Sequence, residues 1–119
     1  MHDDAPQPRT SQPALDALRA VGGDELVREM LGTFSQFAEA QAAWMDRHLK
    51  ARSYEAVAEG ARVMRMSAAE VGALEVVAAC EQALLAANGR DPQVVAVAME
   101  ALHDALAAAR PWVDALAAG

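Results

Sequence analysis

The sequence predicts an all-α protein, an antiparallel up-down four-helix bundle with a short extra helix at its N-terminal end. Alanine is abundant, aromatic residues make up only 4% of the 119 residues, and β-branched residues other than valine are scarce, a composition that favours helix over sheet. Four long segments have the apolar periodicity of one helix face. The connections between them are short, which is typical of antiparallel neighbours in a bundle.

The N-terminal part of the sequence divides into a leader and a short helix. Residues 1–12 are rich in proline, polar and acidic residues and have no apolar period, so we expect a disordered leader ahead of one helical domain, residues 13–119. Residues 14–21 (ALDALRAV) suit a short helix across the end of the bundle. A Gly-Gly pair then breaks this helix, and Asp24 is a suitable N-cap for the next one.

The first two bundle helices follow from apolar spacing. After Asp24 one stripe faces inward over about 25 residues. The stripe consists of Leu26, Met30, Phe34, Phe37, Ala40, Trp44 and Leu49. The second helix begins after Ser53, a residue type suited to N-capping, and ends before Gly72. Its predicted core positions are Val57, Ala61, Met64, Ala68 and Val71.

The third and fourth helices are marked by their end signals. The third begins near Leu74 and ends at an Asn-Gly pair, a common way to terminate a helix. Cys80, the single cysteine, lies on its apolar face, so we expect a buried thiol. The Asp-Pro pair at positions 91–92 opens the fourth helix, and the inward face begins with Val94 and Val95. We expect Pro111 to kink or end it.

Composition argues against several classes of function. A formal net charge of −7, a pI near 4.8 and the lack of a Lys/Arg stripe predict that the protein binds no nucleic acid. No apolar run approaches the roughly 20 residues that span a bilayer, so we expect no membrane contact and a cytoplasmic location. The sequence has no Gly-rich phosphate loop and no pattern of metal ligands, and we therefore expect no metal and no cofactor. Small bundles of this kind are often monomeric, and we expect a monomer.

The segment 61–73 (ARVMRMSAAEVGA) resembles the signature of the histidine phosphotransfer (HPt) domains of bacterial phosphorelays. That signature reads Ala-His-x-Leu-Lys-Gly-Ser-Ala, then three residues, then Gly-Ala, and its spacing is matched throughout. The Gly-Gly-Asp before the long helix and the position of Cys80 after Ala73 are also similar to the family. The resemblance covers roughly residues 14–106 and implies the HPt bundle, with the reactive site on the second helix.

The departures from the HPt signature fall at the reactive centre. Arg62 stands where the family has its phosphoryl-accepting histidine, Arg65 stands at the position of a lysine, and Met66 at that of a glycine. Farther on, Leu84 fills a position that is frequently acidic. The family's imidazole attacks a phosphoryl group held on an aspartate, whereas a guanidinium stays protonated and has no lone pair for attack. We therefore expect no catalytic residue, and no phosphotransfer by the family's mechanism.

Binding without catalysis is the remaining role for this helix. Arg62, Arg65, Met66 and Ala69 share one helix face, offset from the core stripe, and should project together toward solvent. With Glu59, these residues are our candidates for contacting a partner. Two cations around a methionine suit an acidic cleft, such as the aspartate pocket of a receiver domain. In the alternative interpretation, the arginines pair with neighbouring glutamates on a solvated face.

The resemblance therefore implies a non-enzymatic HPt-like module. We expect it to bind a response-regulator receiver domain or a histidine kinase and to act as an adaptor, decoy or inhibitor of phosphoryl flow. Two alternatives stay open. The chain could be an active phosphotransfer protein that uses His48, which lies in an Arg-His-Leu-Lys sequence, or an unrelated helical scaffold, since a fold does not establish a function.

Overall fold

The computed structural model describes residues 12–119, which form four helices. They are α1 (Gln12–Lys50), α2 (Tyr54–Glu70), α3 (Leu74–Gly89) and α4 (Pro92–Ala118). Each helix packs against the next along the chain, and α4 packs back against α1, so the four close into a bundle. The connections are two or three residues long and force consecutive helices to run antiparallel. The predicted all-α, up-down four-helix bundle is confirmed.

The long helix α1 is interrupted at Gly23. Its φ of 70° and ψ of −166° are not helical, a conformation that glycine adopts without the steric cost of a Cβ. The Arg19 guanidinium spans this break, donating to Oδ1 of Asp24 over 2.9 Å and to Oδ1 of Asp16 over 3.3 Å. Residues 12–22 are thus the predicted short extra helix, and Leu15 joins them to the core.

The predicted leader, residues 1–12, lies outside the described part of the chain except for Gln12, which is the first residue of α1. The division into a leader and a domain over residues 13–119 stays a prediction. Within residues 12–119, none of the helices offers the long apolar stretch that crossing a bilayer requires.

The core follows the predicted periodicity on α2 but is shifted on α1. All five predicted core positions of α2 are buried. On α1, Phe37 and Trp44 are only half-buried and Ala40 is exposed. The residues of α1 that are fully buried are Leu15, Val27, Leu31, Phe34, Ala38, Ala42 and Met45. Small alanines therefore occupy the closest helix contacts, while the larger aromatic rings lie at the edges of the interface.

Helix ends also differ from the predictions in two places. Asp91 caps α4, accepting hydrogen bonds from the backbone N–H of Gln93 and Val94, but the Ser53 side chain makes no capping bond to α2. Helix α4 continues through Pro111 to Ala118 instead of ending there. Pro111 is exposed, so water has access to the surface where its missing N–H would have bonded to a carbonyl.

Candidate partner-binding site

The five candidate residues lie on one side of α2, and we call them the α2 face: Glu59, Arg62, Arg65, Met66 and Ala69. Four of them are exposed, and Arg65 is partly exposed. Their spacing of three and four residues stacks their side chains on successive turns of the helix. Behind them, Ala61, Met64 and Ala68 are fully buried and fix the rotation of α2 in the bundle. The predicted separation of this face from the core stripe matches the structure.

Both arginines of the α2 face are paired with carboxylates. Arg62 Nη1 donates to Oε1 of Glu59 over 2.8 Å, within α2. Arg65 Nη1 lies 3.7 Å from Oε2 of Glu81, which projects from α3. The side chains of both pairs are between two-fifths and two-thirds exposed, so each contributes only about 0–1 kcal/mol to stability. Such weak pairs can exchange for other anions at little cost.

Glu81 is a member of this site that the sequence reasoning missed. Among the glutamates near the arginines in sequence, only Glu59 makes an ion pair, and Arg65 reaches across to α3 instead. The crossing depends on how α2 and α3 are rotated against each other. The spacing of residues within a single helix does not indicate this contact between two helices.

Met66 is the apolar centre of the α2 face. Met66 is 66% exposed, which makes it one of the most exposed large apolar residues of the described chain. Val63, one residue after Arg62, is also exposed, at 38%. A flexible thioether between two guanidinium groups can adapt to an apolar contact while the charges meet acidic groups.

The two arginines of the α2 face cannot attack a phosphoryl group, because guanidinium nitrogens are donors only. Cys80 is fully buried, and that burial raises the pKa of its thiol to about 12, so the thiol stays protonated near neutral pH. The arrangement can bind anions through Arg62 and Arg65, and its five residues include no imidazole or thiol.

The two histidines within residues 12–119 lie on α1 and α4, not on α2. His48, near the end of α1, is half-buried, and its ring centroid is 4.2 Å from that of Trp44. His103 on α4 faces α1, where its Nε2 lies 2.8 Å from Oδ2 of Asp46. No group of three or more histidine, cysteine or acidic side chains able to hold a metal ion occurs within residues 12–119.

A shallow groove runs between α1 and α4, and we call it the α1/α4 groove. It encloses about 360 Å³ and has an apolar floor that includes Ala38 and Ala42. Two polar contacts bridge it: His103 Nε2 lies 2.8 Å from Oδ2 of Asp46, and Arg110 Nη1 forms an ion pair with Oε2 of Glu39 at 3.6 Å. The charges at its rim are therefore satisfied within the chain.

Comparison with known proteins identifies the architecture. No protein-family model matches the sequence, and no curated protein matches it either. Among solved structures, the crystal structure of histidine-containing phosphotransfer protein B (HptB) from Pseudomonas aeruginosa PAO1 superimposes with a TM-score of 0.82. The alignment covers 90% of this chain and 92% of HptB, at 20% sequence identity. This chain has the HPt fold.

The HPt fold agrees with the resemblance seen in the segment 61–73. In HPt proteins the phosphoryl-accepting histidine lies on the second bundle helix, and by that resemblance Arg62 stands at this position on α2. The agreement concerns architecture, since the identity to HptB is low.

Proposed function

We propose that this protein is a non-catalytic HPt-like module of phosphorelay signalling that binds a receiver domain or a histidine kinase through the α2 face. The observation that carries the proposal is the exposed position of Arg62, on the second helix of an HPt bundle, where the resemblance places the reactive histidine. The module would act as an adaptor, decoy or inhibitor, most simply in the cytoplasm.

The charges of the α2 face support an acidic partner. Each arginine is held by one exposed carboxylate, and exposed pairs of this kind are worth little. The acidic pocket of a receiver domain presents several carboxylates at once and can displace Glu59 and Glu81 from the two guanidinium groups. Bidentate contacts to Arg62 and Arg65 would then fix the orientation of the complex.

The same residues support a loss of phosphotransfer. Transfer requires a lone pair that attacks phosphorus while the phosphoryl–aspartate bond breaks and the carboxylate leaves. Arg62 offers no such lone pair, and Met66 adds bulk at a position where the HPt signature has glycine. A receiver bound here would keep its phosphoryl group.

The test combines a transfer assay with a binding assay. Receiver domains and histidine kinases encoded by the same genome are screened for binding, and the phosphorylated receivers carry radiolabelled phosphate. We expect the wild type to bind at least one of them and to stay unlabelled. The double variant Arg62→His with Met66→Gly should gain acid-labile phosphate, because it restores a nucleophile and access to it.

Matched charge reversals separate specific binding from general electrostatics. Arg62→Glu should weaken receiver binding by about tenfold or more, whereas Arg47→Glu, at an exposed arginine on α1, should have little effect. If no receiver domain and no kinase binds the wild type, the proposal is wrong. The alternative of an unrelated helical scaffold then remains. Label on the wild type would instead favour the active alternative, and His48→Ala would test its acceptor.

A further inference from the structure

A second surface lies on the side of the bundle formed by α3 and α4. Three large apolar residues near the α3–α4 turn are exposed: Leu85 by 64%, Val94 by 52% and Val97 by 68%. Val94 is a residue that the sequence places on the inward face. Only Val95 beside it is buried, so the Val-Val pair supplies one core residue and one surface residue. Exposed apolar residues grouped in this way mark contact surfaces.

These residues adjoin an open groove between the two helices, which we call the α3/α4 groove. It encloses about 830 Å³ and is lined mainly by alanines and by Trp112. On α4, Val94, Val97, Ala101 and Ala108 recur at the three- and four-residue steps of one helix face. This row is about 21 Å long at the rise of an α-helix. Small side chains on both walls allow another helix to approach closely.

The charged side chains that line the α3/α4 groove within residues 12–119 are acidic. They are Glu75 and Asp104, and none of the described lining residues is basic. Asp104 is exposed and makes no ion pair or side-chain hydrogen bond with any described residue. The same holds for Glu100, one turn before it on α4.

The basic side chains of α3, α4 and their connection all point elsewhere. Arg90 lies over the Tyr54 ring of α2, 5.4 Å from its centroid. His103 and Arg110 face α1, where Asp46 and Glu39 pair with them across the α1/α4 groove. The acidic side chains of the α1/α4 groove therefore have partners within the chain, whereas Asp104 and Glu100 on α4 have none among the described residues.

We infer that the α3/α4 groove is a docking site for a basic amphipathic helix of a partner protein. The partner helix would place an apolar stripe of about four turns against Val97 and Ala101, and Lys or Arg residues beside Asp104. A second copy of this chain is disfavoured, because it would bring Asp104 and Glu100 of one copy close to those of the other. An anionic membrane is disfavoured for the same reason.

This inference goes beyond the proposed function, because the groove is lined by residues of α3 and α4 and by none of the α2 face. Two independent surfaces would let the module hold one partner on α2 and another on the α3/α4 pair. An adaptor needs such an arrangement, and a simple decoy does not.

The experiment uses the full chain and a designed probe. The probe is a fluorescent 18-residue helical peptide with leucine at i, i+3, i+4 and i+7 positions and lysine on both flanks. Its control carries glutamate in place of lysine. Ala101→Arg introduces a bulky cation into the groove, and Ala107→Arg makes the same change at an exposed alanine of the α1/α4 groove. Val97→Ser tests the apolar contact without changing charge.

We expect saturable one-to-one binding of the lysine peptide, weakened about tenfold or more by Ala101→Arg and clearly by Val97→Ser. Ala107→Arg and Arg62→Glu should leave the affinity for the lysine peptide within about twofold of the wild-type value. Loss of peptide binding at the α3/α4 groove can therefore be distinguished from loss of receiver binding at the α2 face. Equal losses in Ala101→Arg and Ala107→Arg would overturn the inference. So would tighter binding of the glutamate peptide, binding to anionic phospholipid vesicles, or a wild-type dimer that Ala101→Arg dissociates.

Discussion

Gly60 shows how a single residue sets the spacing between two helices. A Cβ added at this position would lie 2.6 Å from Cγ of Met45 and 3.2 Å from the Trp44 ring, so α2 approaches α1 too closely for a side chain. Gln41 Nε2 also donates to the Gly60 carbonyl over 3.2 Å. The glycine therefore brings α2, and the exposed face on its other side, to a fixed distance from α1.

We predict that Gly60→Ala lowers the free energy of unfolding by about 1–3 kcal/mol, because Met45 is fully buried and has little room to move. The matched control is Gly32→Ala in α1, where an added Cβ meets nothing within 4 Å. This control should raise stability by about 0.5–1 kcal/mol through helix propensity alone. Urea unfolding of both variants gives the comparison. Stabilisation by both would show that the approach at Gly60 relaxes freely.

Residue-level prediction from the sequence succeeded for exposure and for the Arg62–Glu59 pair, which the alternative interpretation included, but it missed the partner of Arg65. The spacing of Arg62, Arg65 and Met66 was enough to place them outside the core, because helix periodicity fixes direction. The partner of Arg65 is Glu81 on another helix, and its identity depends on tertiary rotation. For the same reason the sequence could not show that His103 and Arg110 have partners on α1 while Asp104 has none among the described residues.

At the scale of the elements, the sequence predicted where helices break better than it predicted which face of a helix is buried. Gly23 interrupts α1 where a Gly-Gly pair marked a break, since local conformational preference decides there. On α1 the sequence chose a stripe through large apolar residues, such as Phe37 and Trp44, and missed the alanines at the contact centre. The size and apolarity of a residue do not show whether it lies at the edge or in the middle of a helix–helix interface. Pro111 was given too much weight because an exposed helix face tolerates the missing hydrogen bond.

Helix capping gives a prediction at this scale. Asp91→Ala should cost about 1 kcal/mol, since its Oδ1 accepts from the N–H of Gln93 at 2.9 Å and of Val94 at 3.4 Å. Ser53 occupies the equivalent position before α2 but makes no side-chain capping bond. Ser53→Ala should therefore change stability by less than about 0.5 kcal/mol. Thermal unfolding of the two variants tests this. Equal losses would mean that Ser53 caps α2 in solution.

For the molecule as a whole, the bundle topology was predictable because connections of two or three residues leave few alternatives to an antiparallel ring. Helix α3 takes part in both proposed surfaces, since Glu81 pairs with Arg65 of the α2 face and Gln82 beside it lines the α3/α4 groove. The sequence contained both sets of residues. Only the packed bundle shows which charged side chains pair within the chain and which remain available to a partner.

Net charge gives a final prediction for the whole molecule. At about 10 mM salt the Debye length is about 30 Å, twice the 14.9 Å radius of gyration, so the excess of seven negative charges acts across the entire fold. At about 150 mM it falls to about 8 Å, which screens this repulsion more than the ion pairs at 2.8–3.7 Å. We expect the free energy of unfolding to rise with potassium chloride over this range. Glu100→Lys removes two units of negative excess at an unpaired site and should reduce the rise. A fall in stability with salt would instead show that the local ion pairs outweigh the net repulsion.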